Sequence, residues 1–326
     1  MEISNQIKDF KDLVNSYKIT NIIITAKEIG IFNVLSNKKI SLNEISSSLN
    51  IKVERIEPIL NMLAFYKLIE KENNTYYLST YNEVLNKTSE FNQIGYIEFA
   101  ETIMKNYQNL DKAIINESIA KENFSNLTEK EAESFAKGME ANAIPQAKFL
   151  IENYKFTNHR ILDIGAGAGT YLITVAKNDS TVSGKMLDLS EMSKLQNKRI
   201  AENKLQDRLI SEECDYNINF PTEKYDDVFL FAVAHQEHEE NLNKLINNIY
   251  EALNPNGRLF LTSFFLNEDK ISPKFAVQFA VEMIASSNDG KVYTFSEIER
   301  IIKTKFKNLQ KIENIPGPAT LYVAQK

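Results

Sequence analysis

Over the first hundred residues, apolar side chains recur mainly at the spacing of an amphipathic helix. The pattern predicts three helices, over Ile19–Leu35, Ser41–Leu49 and Val53–Tyr66. Ser41 with Glu44 three residues later is typical of a capping box at a helix start. Two short runs, Leu68–Lys71 and Tyr76–Ser79, flank the polar pair Asn73-Asn74 and predict a β-hairpin. Helix, turn, helix and hairpin are the parts of a winged helix.

The pattern changes in the second half of the chain. From about Gly95 to Tyr154 it is helical, with a helix-poor interval near Phe124–Thr128, and from His159 onward strands and helices alternate. The expected strands are Arg160–Ile164, Gly184–Asp188, Asp226–Ala232 and Gly257–Phe265. The clearest helices are Leu242–Leu253, ended by Pro255-Asn256-Gly257, and Phe295–Phe306. A terminal hairpin is expected from Leu309–Ile315 and Ala319–Ala324.

Alternating strands and helices predict an α/β fold, with a Rossmann-like parallel sheet covered by helices on both faces. The terminal hairpin adds antiparallel strands. We therefore expect three segments. Residues 1–95 form a winged-helix domain, residues 96–155 a helical connector that contributes to a substrate pocket, and residues 156–326 a ligand-binding domain.

The most informative segment joins the first expected strand of that sheet to the helix after it. An apolar strand ends in three alternating glycines, Gly165, Gly167 and Gly169. Glycine lets the backbone approach a ligand closely, and a helix N-terminus offers free N–H groups. About twenty residues on, a second apolar strand ends at Asp188, where an acid can hold the hydroxyls of a ribose. Together these features predict a nucleoside cofactor site; the competing interpretation is a glycine turn that serves packing alone.

The residues around the glycines indicate which nucleoside it is. The dinucleotide pattern G-x-G-x-x-G fits imperfectly, because its last position is Thr170. Asp163, two residues before the first glycine, would repel a pyrophosphate but suits a cationic ligand. S-adenosylmethionine carries a sulfonium and an amino group and no phosphate. We expect Asp163 and the glycine loop to hold its methionine portion and Asp188 its ribose.

Two further segments follow the ends of expected strands. Cys214-Asp215-Tyr216 offers Asp215 as an acceptor for an adenine amino group, and a surface turn explains it equally well. His235 follows the strand Asp226–Ala232, beside the expected cofactor crevice. It is either a reactive group or a satisfied loop histidine. Joint metal binding with His238 is disfavoured, because no third histidine lies nearby.

Composition excludes several classes of protein. The net charge is −6, and the would-be recognition helix carries Glu54 and Glu57 against Arg55, which disfavours nucleic-acid binding. No segment approaches the roughly twenty apolar residues that span a bilayer, and the N-terminus lacks an apolar signal core. The single cysteine, Cys214, excludes a disulfide framework within the chain. We expect a cytoplasmic enzyme without a metal and without nucleic-acid or membrane partners.

These motifs resemble the S-adenosylmethionine-dependent O-methyltransferases typified by caffeate, hydroxyneurosporene and polyketide O-methyltransferases, over nearly the whole chain. Leu162–Gly169 resembles the family's glycine motif, and the N-terminal pattern resembles its winged-helix dimerisation domain. The resemblance implies a homodimer, a small-molecule substrate and His235 as the general base. The expected cofactor contacts are Asp163, Gly165, Gly167, Gly169, Asp188, Leu189, Asp215 and Tyr216. Met139 and Glu282 are expected to line the substrate pocket, and a solvated helix position explains Glu282 equally well.

The sequence departs from the family at the base. The family's Asp-Trp after the histidine is Gln236-Glu237 here, and the two glutamates that orient the histidine in plant members correspond to Ser263 and Val292. O-methylation of a small aromatic or polyketide-like hydroxyl is the favoured hypothesis. N- or C-methylation stays open, as does a relative that keeps the cofactor for decarboxylation or a pericyclic step. A ligand-sensing winged-helix regulator is a third hypothesis.

Overall fold

The computed structural model describes residues 2–116, 128–287 and 290–326. They belong to two compact units, one ending at Glu101 and one beginning at Thr102. The finer division into three segments stays a prediction. Of the interval Phe124–Thr128, predicted to be poor in helix, all but Thr128 lies outside the described residues.

The N-terminal unit is mainly helical, with a small sheet. Its elements are α1 (Glu2–Val14), α2 (Tyr17–Glu28), α3 (Ile31–Leu35), β1 (Ile40–Ser41), α4 (Leu42–Leu49), α5 (Val53–Phe65), β2 (Glu70–Glu72), β3 (Thr75–Tyr77), α6 (Asn82–Leu85) and the start of α7 (Ile94–Tyr107). The strands pair in the order β1-β3-β2, all antiparallel. The predicted arrangement of helix, turn, helix and hairpin is confirmed in α4, α5 and β2–β3.

The capping box at Ser41 and the helix over Ile19–Leu35 were both predicted within this unit. The capping box is confirmed, because Ser41 Oγ accepts from the backbone of Glu44 and the Glu44 carboxylate accepts from the backbone of Ser41. The continuous helix over Ile19–Leu35 is wrong. Gly30 adopts a left-handed conformation with φ 89°, which separates α2 from α3. Buried apolar side chains from these helices and from β3 form the unit's core: Ile31, Phe32, Ile45, Ile56, Leu60 and Tyr76.

The C-terminal unit contains the larger sheet. Its elements are the end of α7, then α8 (Leu110–Asn116), α9 (Glu129–Asn153), β4 (Arg160–Ile164), α10 (Thr170–Asn178), β5 (Ser183–Asp188), α11 (Ser190–Glu202), β6 (Leu209–Glu213), β7 (Tyr225–Phe231), α12 (Glu239–Ala252), β8 (Leu253–Ser263), α13 (Lys274–Ser286), α14 (Phe295–Lys303), β9 (Asn308–Ile312) and β10 (Thr320–Gln325).

Within the described residues, seven strands pair in the order β6-β5-β4-β7-β8-β10-β9. The first five are parallel, and β10 and β9 form the antiparallel terminal hairpin. Successive residues of β4 face opposite cores: Ile161 packs with residues of α10 and α11, whereas Leu162 packs with residues of α12 and α14. The predicted α/β fold, with helices on both faces of a largely parallel sheet, is confirmed.

One boundary in this unit was predicted wrongly. The sequence Pro255-Asn256-Gly257 was expected to separate the helix from the next strand, yet β8 begins directly after α12 at Leu253. Leu253 pairs with Tyr225 of β7, and the register shifts between Tyr225 and Asp227. Pairing with β7 resumes only at Arg258, opposite Asp227, so Pro255, Asn256 and Gly257 form a bulge within the strand. The shift absorbs the irregular backbone, in which Asn256 has φ 65°.

The sheet topology determines where a ligand can bind. The connection from β4 leads to β5 on one side, and the strand on its other side, β7, comes later in the chain. In open parallel sheets, such a reversal leaves a crevice beyond the carboxyl ends of the strands. The predicted site residues of β4, β5, β6 and β7 lie at or just beyond those ends.

Candidate active site

Five neighbouring strands deliver polar residues to one edge of the sheet. In spatial order, β6 leads to Asp215, β5 ends at Asp188, β4 leads into the glycine loop, β7 leads to His235, and β8 ends at Ser263. Because parallel strands end at the same edge, residues far apart in sequence are gathered along one line. The sequence predicted this grouping from the strand ends alone, apart from the role of Ser263.

The three glycines of the loop have different local surroundings. All have positive φ, 61° at Gly165, 55° at Gly167 and 71° at Gly169, which strains any other residue. A Cβ at Gly165 would lie 2.6 Å from Val233 Cγ2, and one at Gly169 would lie 2.7 Å from Met186 Sδ. At Gly167 no atom lies within 4 Å of that position. Gly165 and Gly169 therefore serve packing as well as the turn, whereas Gly167 borders open space that a ligand can fill.

Asp188 is tied directly to this loop. Its Oδ2 accepts a hydrogen bond of 2.7 Å from the Gly167 N–H, and its Oδ1 accepts one of 2.8 Å from the Leu189 N–H. Loss of water contact raises the pKa of Asp188 to about 6, although these two N–H groups favour the charged form. The carboxylate is partly exposed and retains lone pairs for further donors, such as the hydroxyls of a ribose.

Asp163 differs from Asp188 in being fully enclosed. It is 1% exposed, and its Oδ2 has no hydrogen-bond partner among the described residues. Burial raises the pKa of Asp163 well above its ordinary value, and the charge of Asp188 raises it further against the opposing backbone N–H of Leu172. A buried carboxyl with an unpaired oxygen favours a ligand that brings a cation or an N–H donor.

A buried glutamine supports the same loop and was missed in the sequence. The Nε2 of Gln196, on α11, donates to the Gly167 carbonyl at 2.8 Å and to Asp188 Oδ2 at 3.4 Å. Its Oε1 accepts from the Ser211 hydroxyl at 2.7 Å. Gln196 is 0% exposed. In the sequence it resembles an ordinary helix-surface residue, so no local signal could have identified it.

The segment after β6 turns back toward His235. The exposed Asp215 accepts at Oδ1 from the Asn217 N–H at 2.9 Å, so its carboxylate stabilises a turn. The Tyr216 hydroxyl and the Asn217 amide both donate to Oε1 of the buried Glu237, at 2.8 and 2.9 Å. Burial and the neighbouring Glu237 raise the pKa of Tyr216. Contact of Asp215 with an adenine stays a prediction. The link from Tyr216 to Glu237 was not foreseen.

His235 occupies a short 3-10 turn, Ala234–Gln236, directly beyond β7. Ala232 has φ 56°, which ends the strand and turns the chain at this point. The imidazole is buried, with Nδ1 3.0 Å from Ser263 Oγ and its ring centroid 4.7 Å from that of Phe279. Burial lowers the pKa of His235 to about 4. The ring is therefore neutral at neutral pH and can accept a proton.

Ser263 and Val292, which replace the family's orienting glutamates, have different surroundings. The sequence suggested that Ser263 could not supply the usual carboxylate; the structure shows that its hydroxyl occupies the hydrogen-bonding position instead. Val292 is buried in an apolar cluster with Leu266 and Phe279. His238 is exposed at the N-cap of α12, as expected. Among the described residues, no group of three or more His, Cys, Asp or Glu side chains is arranged to hold a metal.

Met139 and Glu282, predicted to line the substrate pocket, lie on two different helices. Met139 is partly buried on α9, the helix whose Ala132 and Ala136 pack with Ala168 of the glycine loop. Glu282 is partly buried on α13, one turn beyond Phe279. Burial and the charge of Glu282 raise the pKa of Tyr107. Contact of Met139 and Glu282 with a substrate stays a prediction.

Comparisons with known proteins agree with this geometry. A family model described as an O-methyltransferase domain matches residues 102–306, and a model of the O-methyltransferase dimerisation domain matches residues 11–85. The S-adenosyl-L-methionine-dependent methyl transferase PigF of Serratia sp. is 24% identical over 93% of this chain and 91% of its own length.

Two further proteins are similar to the chain. The 3-hydroxy-5-methyl-1-naphthoate 3-O-methyltransferase of Streptomyces sahachiroi is 26% identical, and the match spans 51% of this chain and about half of that protein, 48%. The solved structure of human N-acetylserotonin methyltransferase in complex with SAM has a TM-score of 0.84 at 16% identity, covering 98% of this chain and 97% of that one. This structural likeness shows the shared fold. Among the described residues, no helix has the length and apolar character needed to cross a membrane.

Proposed function

We propose that this chain, which belongs to the S-adenosylmethionine-dependent O-methyltransferase family, methylates the hydroxyl of a small aromatic or polyketide-like acceptor with His235 as general base. One observation carries the proposal: a buried, neutral imidazole lies at the carboxyl end of β7, next to the strand that leads into the glycine loop. Such a group is suited to accepting a hydroxyl proton during methyl transfer.

The residues around the glycine loop fit S-adenosylmethionine. The unpaired oxygen of Asp163 suits the cationic methionine portion, the open space at Gly167 suits close approach to the backbone, and Asp188 suits a ribose. When bound, the cofactor supplies an electrophilic methyl group on its sulfonium. Leu189, Asp215 and Tyr216 are proposed to border the nucleoside, with Tyr216 held by Glu237.

The protein's contribution to the reaction is mainly alignment. Holding the acceptor oxygen in line with the methyl group accelerates transfer by removing the entropy cost of their encounter. His235 would take the hydroxyl proton as the new bond forms. If Nδ1–H donates to Ser263 Oγ, the Nε2 lone pair is left to accept that proton. Phe264 and Phe279 contribute an apolar wall that excludes water from the base.

We also propose that the active form is a homodimer built through the N-terminal domain. Helix α1 carries large apolar side chains that are exposed in the single chain, including Ile3 (71%), Phe10 (66%) and Leu13 (72%). Such a row of apolar groups is costly in water and favours burial against a second copy. The match to the dimerisation domain supports the same assignment. The acidic residues of α5 favour this role over DNA binding.

The test is incubation of the full chain with labelled S-adenosylmethionine and a panel of phenols, hydroxyquinones and amines, followed by mass analysis of the products. Label on an aromatic oxygen supports the proposal. Label only on nitrogen or carbon would contradict O-methylation. Chemical change of an acceptor without label transfer would indicate a relative that retains the cofactor for another reaction.

A further inference from the structure

The partner of His235 is unusual for a proton acceptor. Its Nδ1 lies 3.0 Å from Ser263 Oγ, and both residues are buried, at 6% and 2% exposure. A serine hydroxyl can hold the ring in place, but it carries no charge. It therefore orients the imidazole without stabilising the imidazolium that proton transfer would create, as a carboxylate would.

Glu237 and Lys291, which adjoin His235 along the chain or through a backbone hydrogen bond, have partners of their own. Glu237, on the same turn, accepts from Tyr216 and Asn217. The backbone N–H of Lys291 donates to the His235 carbonyl, but its ammonium pairs with Glu297 at 3.1 Å. On α13, Glu282 acts electrostatically on Tyr107. Among the described contacts of the imidazole, the neighbours are thus Ser263 and aromatic rings.

Those rings form what we call the phenylalanine cluster, Phe264, Phe275 and Phe279. The centroid of Phe264 lies 4.7 Å from that of Phe275 and 4.8 Å from that of Phe279. Phe279 meets the His235 ring edge to face, and Phe275 is 36% exposed. The cluster therefore extends from the buried base toward solvent and offers flat apolar surfaces to a planar acceptor.

From these contacts we infer that the acceptor is a planar aromatic compound whose hydroxyl is far more acidic than that of an ordinary phenol, such as a hydroxyquinone or an electron-poor phenol. The inference rests on the proposed function and names its substrate class. A base that lacks a countercharge takes the proton of an ordinary phenol inefficiently, whereas a more acidic hydroxyl passes its proton to the same base more readily. An acceptor that is already ionised reacts without the base.

The reaction step shows why acidity matters. The acceptor oxygen bonds to the methyl carbon, the methyl–sulfur bond breaks with its electron pair left on sulfur, and the hydroxyl proton passes to Nε2 of His235 and then to water. An ordinary phenol has a pKa of ~10. Prior transfer of its proton to an imidazole whose pKa burial lowers to about 4 is disfavoured by about 10⁶-fold. An acidic hydroxyl removes most of that barrier.

The experiment compares two acceptors of similar size and shape with the full-length protein at neutral pH. 2-Hydroxy-1,4-naphthoquinone is ionised under these conditions, and 2-naphthol is not. We expect kcat/KM for methylation to be about 10²-fold or more higher for the hydroxyquinone. In Ser263→Glu, which supplies a carboxylate to Nδ1, this ratio should shrink by about tenfold or more because the naphthol gains a stronger base. Ser180→Glu, at an exposed turn, is the matched control and should keep the wild-type ratio.

The possible outcomes distinguish a failure of the acidity inference from a failure of the proposed O-methylation. Equal or faster methylation of 2-naphthol by the wild type overturns the acidity inference and leaves O-methylation standing. No methylation of either compound, with S-adenosylmethionine bound in calorimetry, overturns both. If Ser263→Glu does not fold, the wild-type ratio and Ser263→Ala still decide. Removing the hydroxyl should preserve or enlarge the ratio, and a smaller ratio in Ser263→Ala contradicts the inference.

Discussion

The Gly167 N–H donates to Asp188 Oδ2 at 2.7 Å, so the backbone of the glycine loop is fixed to the carboxylate that ends the neighbouring strand. This bond joins the two features that most clearly indicate a nucleoside site in the sequence. It also means that Asp188 has two tasks, to hold the loop and to accept from a ligand. Removing this carboxylate should therefore loosen the loop as well as remove a ligand contact.

The glycines of the loop should separate folding from binding. Gly165→Ala places a Cβ 2.6 Å from Val233 Cγ2 at a positive φ, so we expect a loss of unfolding free energy of about 2 kcal/mol or more. Gly167→Ala meets no atom within 4 Å and should cost only the backbone strain, about 1–2 kcal/mol. It should nevertheless weaken cofactor binding strongly, because its methyl group fills the open space.

Thermal unfolding and calorimetric titration with S-adenosylmethionine measure the two effects. The interpretation of Gly167 as a position of ligand approach fails if Gly167→Ala binds the cofactor as tightly as the wild type.

Removing the Asp188 carboxylate should weaken binding of the cofactor. Asp188→Ala loses a charged acceptor for the ribose hydroxyls, which we expect to cost about 1–3 kcal/mol, or roughly 10- to 100-fold in Kd. Asp207→Ala is a suitable control, because that side chain is 73% exposed. Unchanged affinity of Asp188→Ala in calorimetry would contradict the ribose assignment.

Cofactor binding should also depend on pH through the same group. Burial raises the pKa of Asp188 to about 6 in the ligand-free protein, and hydroxyl donors from a ribose would favour its charged form and lower that pKa. Affinity for S-adenosylmethionine should then be highest above this pKa and fall as the pH drops below it, by up to about tenfold per pH unit for one proton. Calorimetry across this range checks the slope, which Asp188→Ala should lose.

The exposed apolar row of α1 should be buried in solution. We expect light scattering at micromolar concentration to give the mass of two chains, with an interface above ~2,000 Å² as in obligate dimers. Phe10→Asp should weaken association, whereas Asn5→Asp on the polar side of the same helix should not. A monomer mass for the wild-type chain would refute the homodimer.

How much the sequence could predict depended on the range of the interaction. The glycine loop, Asp188 and the capping box at Ser41 were recognisable, because strand ends and helix starts leave local patterns. Gln196 and the hydrogen bond between Tyr216 and Glu237 were not, because each joins residues on separate elements and has no local signature. The prediction of one helix over Ile19–Leu35 failed for a different reason. The apolar periodicity continues across Gly30, but the positive φ of Gly30 ends one helix before the next begins.

Ser263 shows the same limit at the site itself. The sequence showed that a carboxylate was missing there, but only the packing of β8 beside β7 reveals that the serine hydroxyl meets His235 Nδ1. A residue type can be read from a sequence, whereas the group it touches depends on the strand register.

The rate of methyl transfer by His235→Ala and His238→Ala is the most direct measure of whether His235 is the base. It should be measured at neutral pH, with an acceptor from the panel that the wild type methylates and whose hydroxyl keeps its proton at that pH. We predict that His235→Ala lowers kcat by about 10²-fold or more, with affinity for S-adenosylmethionine nearly unchanged. His238→Ala, at the exposed start of α12, should retain the wild-type rate. Wild-type turnover in His235→Ala, or equal losses in both variants, would contradict the role of His235 as the base.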